Sequence, residues 1–260
     1  MLMSYFRLSN TLLCKGDTIL HDYRESHLSP EKGEAYHRQF EVNPHRSMVW
    51  ELEKRILDRI LLEFLDNCEI RHFDFACGTG RILAHYEKRV HESVGIDLSS
   101  SMLETARRNV EHSKLIKADI TREDVLDSQK FNLITAFRFF PNAQPKLRSE
   151  AMQALVRHLN KDGYLVFNNH RNLSSLRCRI ARLCGRGGRE GMAMEEVQDL
   201  VLKHGMEIVR VYHLCVLPAS ERRMLLPCLI LRPMERVLSH CRLLRNLGEN
   251  LIFVCKHAGK

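Results

Sequence analysis

No two cysteines in this sequence are spaced as CxxC, although nine occur among its 260 residues. Zinc-ribbon and thioredoxin-type sites are thereby excluded, and no metal is expected. The cysteines are scattered and odd in number, so they outline no disulfide framework. The expectation is a reducing compartment, with the thiols as small residues in or near the core. Long apolar runs are also missing. The longest candidate, residues 224–231, contains Pro227 and falls far short of the ~20 residues that a bilayer requires. The opening MLMSYFRLSN has no basic stretch leading into an apolar one. A secretory signal is therefore not expected, and a cytoplasmic protein is. Aromatic residues make up only 7%. They are not interleaved with a basic stripe, which speaks against a nucleic-acid partner.

What is present is ordinary globular material, 44% hydrophobic and 28% charged, in a chain long enough to bury a core without staples. The formal net charge is +8. Residues 1–175 hold 25 Lys/Arg against 24 Asp/Glu, whereas residues 176–260 hold 15 against 8. The excess lies in the last third. A uniformly basic coat for nucleic acid would not be distributed so, while an acidic partner of the C-terminal third remains open.

Residues 1–46 are mixed and polar, and short elements are expected there. From Ser47 to Leu65, Trp50, Leu52, Ile56, Ile60, Leu61, Phe64 and Leu65 recur at helical spacing, which predicts an amphipathic helix. The texture then alternates. Strands are predicted over 70–76, 93–97, 115–118, 131–137 and 164–168. Helices are predicted between them at 81–90, 101–112 and 145–159, with Ser101 and Glu104 at capping-box spacing. Such alternation means a parallel sheet covered on both faces. Further on, Arg-rich 173–184 reads as a helix stopped by Gly185, Gly187 and Gly188. Residues 194–204 form another helix. Residues 208–217 and 251–255 read as strands, with a basic helix at 234–244 between them.

The strongest signal is DFACGTGR, Asp74 to Arg81, between a strand and a helix. Glycines at such a junction permit a sharp turn and close approach of a ligand. Asp97 follows at the end of the second strand, where an acid can accept hydrogen bonds from ribose hydroxyls. Asp119 ends the third. Leu83 stands where a dinucleotide fingerprint has its third glycine, and no GxxxxGK[ST] loop occurs, so pyrophosphate and triphosphate ligands are disfavoured. A nucleoside without phosphates suits the loop.

DFACGTGR, VGIDLSSSML, KADI and FNLITAFRFF, in this order and spacing, resemble class I S-adenosylmethionine-dependent methyltransferases over about Asp66 to Arg171. The resemblance implies a Rossmann-like α/β fold with a seven-stranded sheet in the order 3-2-1-4-5-7-6, strand 7 antiparallel. It implies an N-terminal cap segment over 1–46 and the methyltransferase domain over 47–260, with a basic helical insertion between the last strands. It implies S-adenosyl-L-methionine as cofactor. Asp74 would lie near the methionine amino end, with Ala76, Gly78 and Gly80 under the cofactor backbone. Asp97 would meet the ribose, and Leu98 and Met102 would flank ribose and adenine. Asp119 and Ile120 would contact the adenine, and Phe137 would lie beside the transferred methyl.

The acceptor pocket should lie outside the carboxyl ends of strands 4 and 5. His170 is the candidate base, since an unperturbed imidazole titrates at about 6.5. Asn142 and Asn169 are candidates to orient an acceptor hydroxyl, and Arg138 to hold an acidic group. Tyr36 and His37 are weaker candidates, read as parts of a solvated loop. Arg177, Arg179, Arg182, Arg242 and Arg245 would face an acidic acceptor, an anionic membrane surface or only water. The expected reaction is methyl transfer to a small-molecule, glycan or lipid-linked acceptor at oxygen. The alternative is a non-catalytic S-adenosylmethionine-binding regulatory or scaffold protein of the same fold.

Overall fold

In the computed structural model, residues 23–27, 29, 32–66, 69–185, 190–219 and 226–259 are described. Gly187 and Gly188 lie outside them, as does the opening decapeptide. Seven strands form one sheet: β1 (Arg71–Phe75), β2 (Glu92–Asp97), β3 (Lys114–Lys117), β4 (Phe131–Ala136), β5 (Leu159–Asn169), β6 (Met206–Leu214) and β7 (Asn250–His257). Their order is β3-β2-β1-β4-β5-β7-β6. The first five are parallel, and β7 runs antiparallel to both β5 and β6. This is the expected Rossmann-like sheet.

The strands are apolar on both faces because helices cover both. On one face Phe73, Phe131, Phe167 and Phe253 join a core under α5 (Pro145–His158) and α7 (Met194–Lys203). Phe167 and Phe253 are register partners across β5 and β7. Their rings stack at 5.2 Å, which contributes roughly 0.5–1.5 kcal/mol beyond burial. On the other face Leu133, Val166, Ile252 and Val254 pack with Leu57, Ile60 and Leu61 of α2 (Pro44–Phe64). Burying each such side chain contributes about 1.5–3 kcal/mol.

The N-terminal part differs from expectation. Residues 32–42, in a stretch where only short elements are expected, form the 11-residue α1 (Lys32–Val42), and α2 starts three residues earlier than the apolar pattern showed. The start is fixed locally. Pro44 occupies the first turn, and Asn43 caps the helix by accepting from Arg46 N at 3.1 Å. A proline there loses no hydrogen bond. α1 packs on α4 (Ser100–Asn109) through Gly33, where an added Cβ would lie 2.1 Å from the Ser101 carbonyl oxygen. Tyr36 and His37 are therefore helical rather than parts of a loop.

Three other expectations are corrected. The cap of α4 is Ser99, accepting from Met102 N, while Ser101 donates its hydroxyl to the Ser29 carbonyl. The strand expected over 208–217 stops at Leu214, because Cys215 turns to a left-handed φ of 58°. The basic helix expected at 234–244 is α8 (Cys228–Leu238), followed by a 3-10 turn at Arg242–Leu247. Pro227 caps α8, and Pro233 is accommodated in its second turn.

Candidate functional site

The carboxyl ends of β1, β2, β3 and β4 open on one cavity of about 440 Å³, within the range of small-ligand sites. A smaller cavity of about 40 Å³ adjoins it, sharing Tyr36, Ala76, Gly78 and Phe137. Asp74 and Arg81 line the smaller one, and Asp97, Leu98, Met102 and Asp119 the larger. Ala76 holds φ 52° and Arg138 φ 61°, in the left-handed region that non-glycine residues rarely adopt. Each costs of order 1–3 kcal/mol, a form of strain that clusters at functional sites.

Asp74 is 2% exposed. Its Oδ1 accepts from the Thr135 hydroxyl at 2.6 Å, and its Oδ2 has no partner among the described residues. Thr135 Oγ1 lies 2.8 Å from His72 Nε2, and His72 Nδ1 lies 3.0 Å from Ser93 Oγ. Since the Thr135 proton goes to Asp74, the Nε2–H tautomer of His72 donates to Thr135 and Ser93 donates to Nδ1. Burial holds His72 neutral, pushed down to about 3. Burial likewise pushes the Asp74 carboxyl up to about 7, against the pull of Thr135 and Arg81.

Asp97 organises the glycine loop. Its Oδ2 accepts from Gly78 N and its Oδ1 from Ser99 N, both at 2.8 Å, and each oxygen keeps a lone pair for a ligand hydroxyl. Gly78 has φ 55° and no atom nearer than 4.0 Å to an added Cβ. It supplies the turn and leaves room for a ligand. Gly80 does otherwise: it does not line either cavity, and a Cβ there would meet Ala106 of α4 at 3.1 Å. Its role is close helix packing rather than support of a cofactor backbone. Ile120 is 2% exposed and packs in the sheet core instead of lining the cavity; Ala118 is the wall residue there.

Asp119 has a partner that the sequence did not suggest. Its Oδ2 accepts from Arg24 Nε at 2.8 Å, and its Oδ1 takes the amide and hydroxyl of Thr121. Arg24 also reaches Glu150 at 2.8 Å. The acid expected to face adenine thus holds the 3-10 turn Tyr23–His27 across the cavity. Tyr23 donates to the Arg138 carbonyl at 3.3 Å. Asn142 donates to the same carbonyl at 2.6 Å. It buttresses the strained Arg138 rather than presenting its amide to an acceptor. Asn169 is likewise structural, donating to the Met192 carbonyl and accepting from Arg171 N.

Past Phe137 the wall is basic. Arg46, Arg138, His170 and Arg171 line it together. Arg138 donates its amide to Asn168 Oδ1 at 2.6 Å, and its Nη2 stands 3.8 Å from Glu53. Glu53 is fully buried and accepts from Asn250 at 2.8 Å. Burial and the guanidiniums of Arg138, Arg171 and Arg46 hold His170 well below the usual imidazole range, so its ring is neutral. Its Nδ1 is buried without a partner among the described residues. By contrast, Arg177 grips Glu249, while Arg179 and Arg182 bond the carbonyls of Ser174 and Leu173. These three tie down α6 (Leu176–Leu183) and do not line the cavity.

The comparisons accord with this geometry. Residues 73–163 match the model of a methyltransferase domain family. Those residues carry a methyltransferase domain, consistent with the class I S-adenosylmethionine-dependent family. Over 127 residues the chain is 29% identical to the malonyl-[acyl-carrier protein] O-methyltransferase of Enterobacter lignolyticus, covering 48% of each chain. The match thus spans about half of that curated relative. A Clostridium acetobutylicum S-adenosylmethionine-dependent methyltransferase superposes with a TM-score of 0.59 at 15% identity, over 87% of this chain and 98% of that one. The magnesium protoporphyrin IX methyltransferase of Synechocystis, with bound S-adenosylhomocysteine, gives 0.54 at 10%, over 82% and 84%. The methyltransferase domain fits its cofactor: the partnerless oxygen of Asp74 suits an ammonium, and Asp97 at the cavity wall suits ribose hydroxyls.

Proposed function

We propose that the methyltransferase domain transfers a methyl group from S-adenosylmethionine to an oxygen of a small-molecule, sugar or lipid-linked acceptor. The observation that carries this is the meeting of two adjoining cavities at Gly78 and Phe137, the smaller lined by Asp74 and the larger by Asp97, the larger continuing past Phe137 to a basic wall. Oxygen is supported by the curated relative, itself named an O-methyltransferase.

The cofactor supplies a methyl on a sulfonium, an electrophile for in-line displacement. The chain's own residues supply position. Asp74 and the Gly78 turn hold the amino-acid end, and Asp97 holds the ribose. Phe137 separates this end from the acceptor side and excludes water. His170, neutral at every physiological pH, accepts a hydrogen bond from the acceptor hydroxyl and orients it. A base so depressed removes protons weakly, so orientation is its larger contribution.

One further observation supports a lipid-linked acceptor. α8 leaves Leu229, Ile230, Met234 and Val237 exposed and carries Arg232 and Arg236. A basic helix with an apolar exposed face suits peripheral contact with an anionic membrane surface from the cytoplasmic side. Cys228 at its start lies 3.3 Å from the Pro44 carbonyl, two residues before the cavity-lining Arg46.

Calorimetry with S-adenosylhomocysteine tests the cofactor half. The expected result is saturable binding that Asp97→Ala weakens by about ten- to a hundredfold, the range for a lost hydrogen bond to a charged group. No binding to the unaltered protein would refute it. Incubation with S-adenosylmethionine and an acceptor pool tests the chemistry, through a product gaining about 14 Da. Binding without any turnover would leave the regulatory or scaffold reading.

A further inference from the structure

Three buried polar atoms around the smaller cavity lack a hydrogen-bond partner among the described residues: Asp74 Oδ2, Thr79 Oγ1 and Arg81 Nη1. They belong to an acid, a hydroxyl and a cation. A buried polar group left unmet costs about 1–3 kcal/mol, and more where it is charged. Three on one cavity of about 40 Å³ call for a common explanation. Thr79 is 1% exposed and stands between Gly78 and Gly80, both at a left-handed φ. Asn109 donates to its carbonyl at 2.8 Å. A buried threonine hydroxyl can satisfy itself on a neighbouring carbonyl, and this one does not.

Arg81 is the unusual member. It opens α3 (Arg81–Tyr86), and its guanidinium carbon lies 3.6 Å from the ring centroid of Phe40 and 4.7 Å from that of Trp50. Those rings belong to α1 and α2, so the two N-terminal helices set the guanidinium beside the glycine loop. Such contacts contribute about 0.5–2 kcal/mol, but they leave the in-plane N–H donors uncommitted. Among the described residues Arg81 makes no ion pair. Asp74 is near enough for Arg81 to pull its carboxyl downward, yet the two do not bond. A lone anion between them would meet the Asp74 carboxylate, and a lone cation would meet Arg81. A ligand that carries both charges satisfies all three atoms.

The methionine end of S-adenosylmethionine is such a ligand, with an ammonium and a carboxylate on one carbon. We infer that Arg81 is the residue by which this site selects a cofactor with an intact carboxylate: Arg81 and the Thr79 hydroxyl grip the carboxylate, while Asp74 takes the ammonium. Guanidinium is shaped for this, since its N–H groups match a carboxylate in a fixed fork. Phe40 and Trp50 hold it ready, which lowers the ordering cost of the grip. A nucleoside that keeps the adenosine, the sulfur and the amine but lacks the carboxylate leaves Arg81 buried and unpaired, and is rejected for that reason. The inference rests on the methyltransferase reading and adds a binding residue that the glycine motif alone did not single out.

Calorimetry at pH 8, above the Asp74 value of about 7, compares S-adenosylhomocysteine with its decarboxylated analogue, which keeps the amine and loses the carboxylate. The parent protein should bind the analogue about ten- to a hundredfold more weakly. Arg81→Gln should lose a similar factor for S-adenosylhomocysteine and change the analogue's affinity by no more than about threefold, so that the preference collapses. Arg81→Lys keeps the charge without the fork and should restore part of it. Thr79→Val should narrow the preference by about three- to tenfold. An Arg81 that only packs would weaken both ligands alike when replaced, leaving their ratio as in the parent. The parent's own preference is read without any variant. Equal affinity of the parent for the two ligands, or an Arg81→Gln protein with the parent's ratio intact, would overturn the inference. If S-adenosylhomocysteine itself fails to bind the parent protein, the methyltransferase reading falls instead.

Discussion

Asp74 joins a buried position to the binding of a cation. Its carboxyl, pushed up to about 7 chiefly by burial, is largely protonated at pH 6. An ammonium at its partnerless oxygen favours the charged form, so binding releases a proton. The sign follows. S-adenosylhomocysteine affinity should rise by up to about tenfold per unit as pH climbs toward 7 and level off above it. The free protein should respond oppositely. The folded pKa lies above the ordinary 3.8, so this group's contribution to stability is complete below about pH 4 and is lost as pH rises through 7. His72 is held too low to titrate in that window, and His170 is held well below the usual imidazole range by burial and its neighbouring guanidiniums. Calorimetry between pH 6 and 8 checks this: Asp74→Asn should bind more weakly and with a flat profile, and a parent protein with a flat profile would sink the argument.

At the scale of elements, the strand ends were readable and the wrapping segments were not. Asp74, Asp97 and Phe137 close β1, β2 and β4 or follow them directly. A parallel sheet puts all its carboxyl ends on one edge, so their sequence positions fixed their neighbourhood. Tyr23, Arg24 and Arg46 reach the cavity only because α1 lies on α4 and α2 crosses the sheet face. No periodicity carries that information. The one local signal was Arg46 itself, a cation in the first turn of a helix. The α8 face is a case where pattern and structure agree on amphipathicity but not on bounds, and it supports a prediction. Sedimentation with anionic phosphatidylglycerol vesicles should carry the protein down at low salt. Leu229→Asp with Val237→Asp, both at exposed positions, should reduce the bound fraction several-fold without lowering the melting temperature. Equal partition of parent and variant would remove membrane contact from the proposed function.

For the molecule as a whole, the cavity is a junction of distant chain segments. Segments as far apart as Tyr23 and Arg24, Arg46, Phe75 and Ala76, Asp97 and Leu98, Ala118 and Asp119, and His170 and Arg171 line it, from the N-terminal turn to the residues that follow β5. The strand order was implied by the family resemblance, whereas the parallel sheet was legible because each βα unit declares itself locally. The junction was not, because it exists only when the cap, the sheet edge and the segment around Glu190 meet. A ligand that binds there is bound by the folded state alone, and it stabilises the fold by mass action. At a hundred times its dissociation constant S-adenosylhomocysteine should add about 2.7 kcal/mol. For a chain of this size that raises the melting temperature by about 5–10 °C. Hydrogen exchange gives the spatial form of the same prediction. If Arg24 and Tyr23 close the cavity as their bonds to Asp119 and Arg138 indicate, amides of the Tyr23–His27 turn should slow together with those of the Gly78 loop. Arg24→Ala should uncouple them, leaving protection at Gly78 but not at the turn. Protection confined to the glycine loop in the parent protein would show that the N-terminal turn is packing alone, with no share in holding the cofactor.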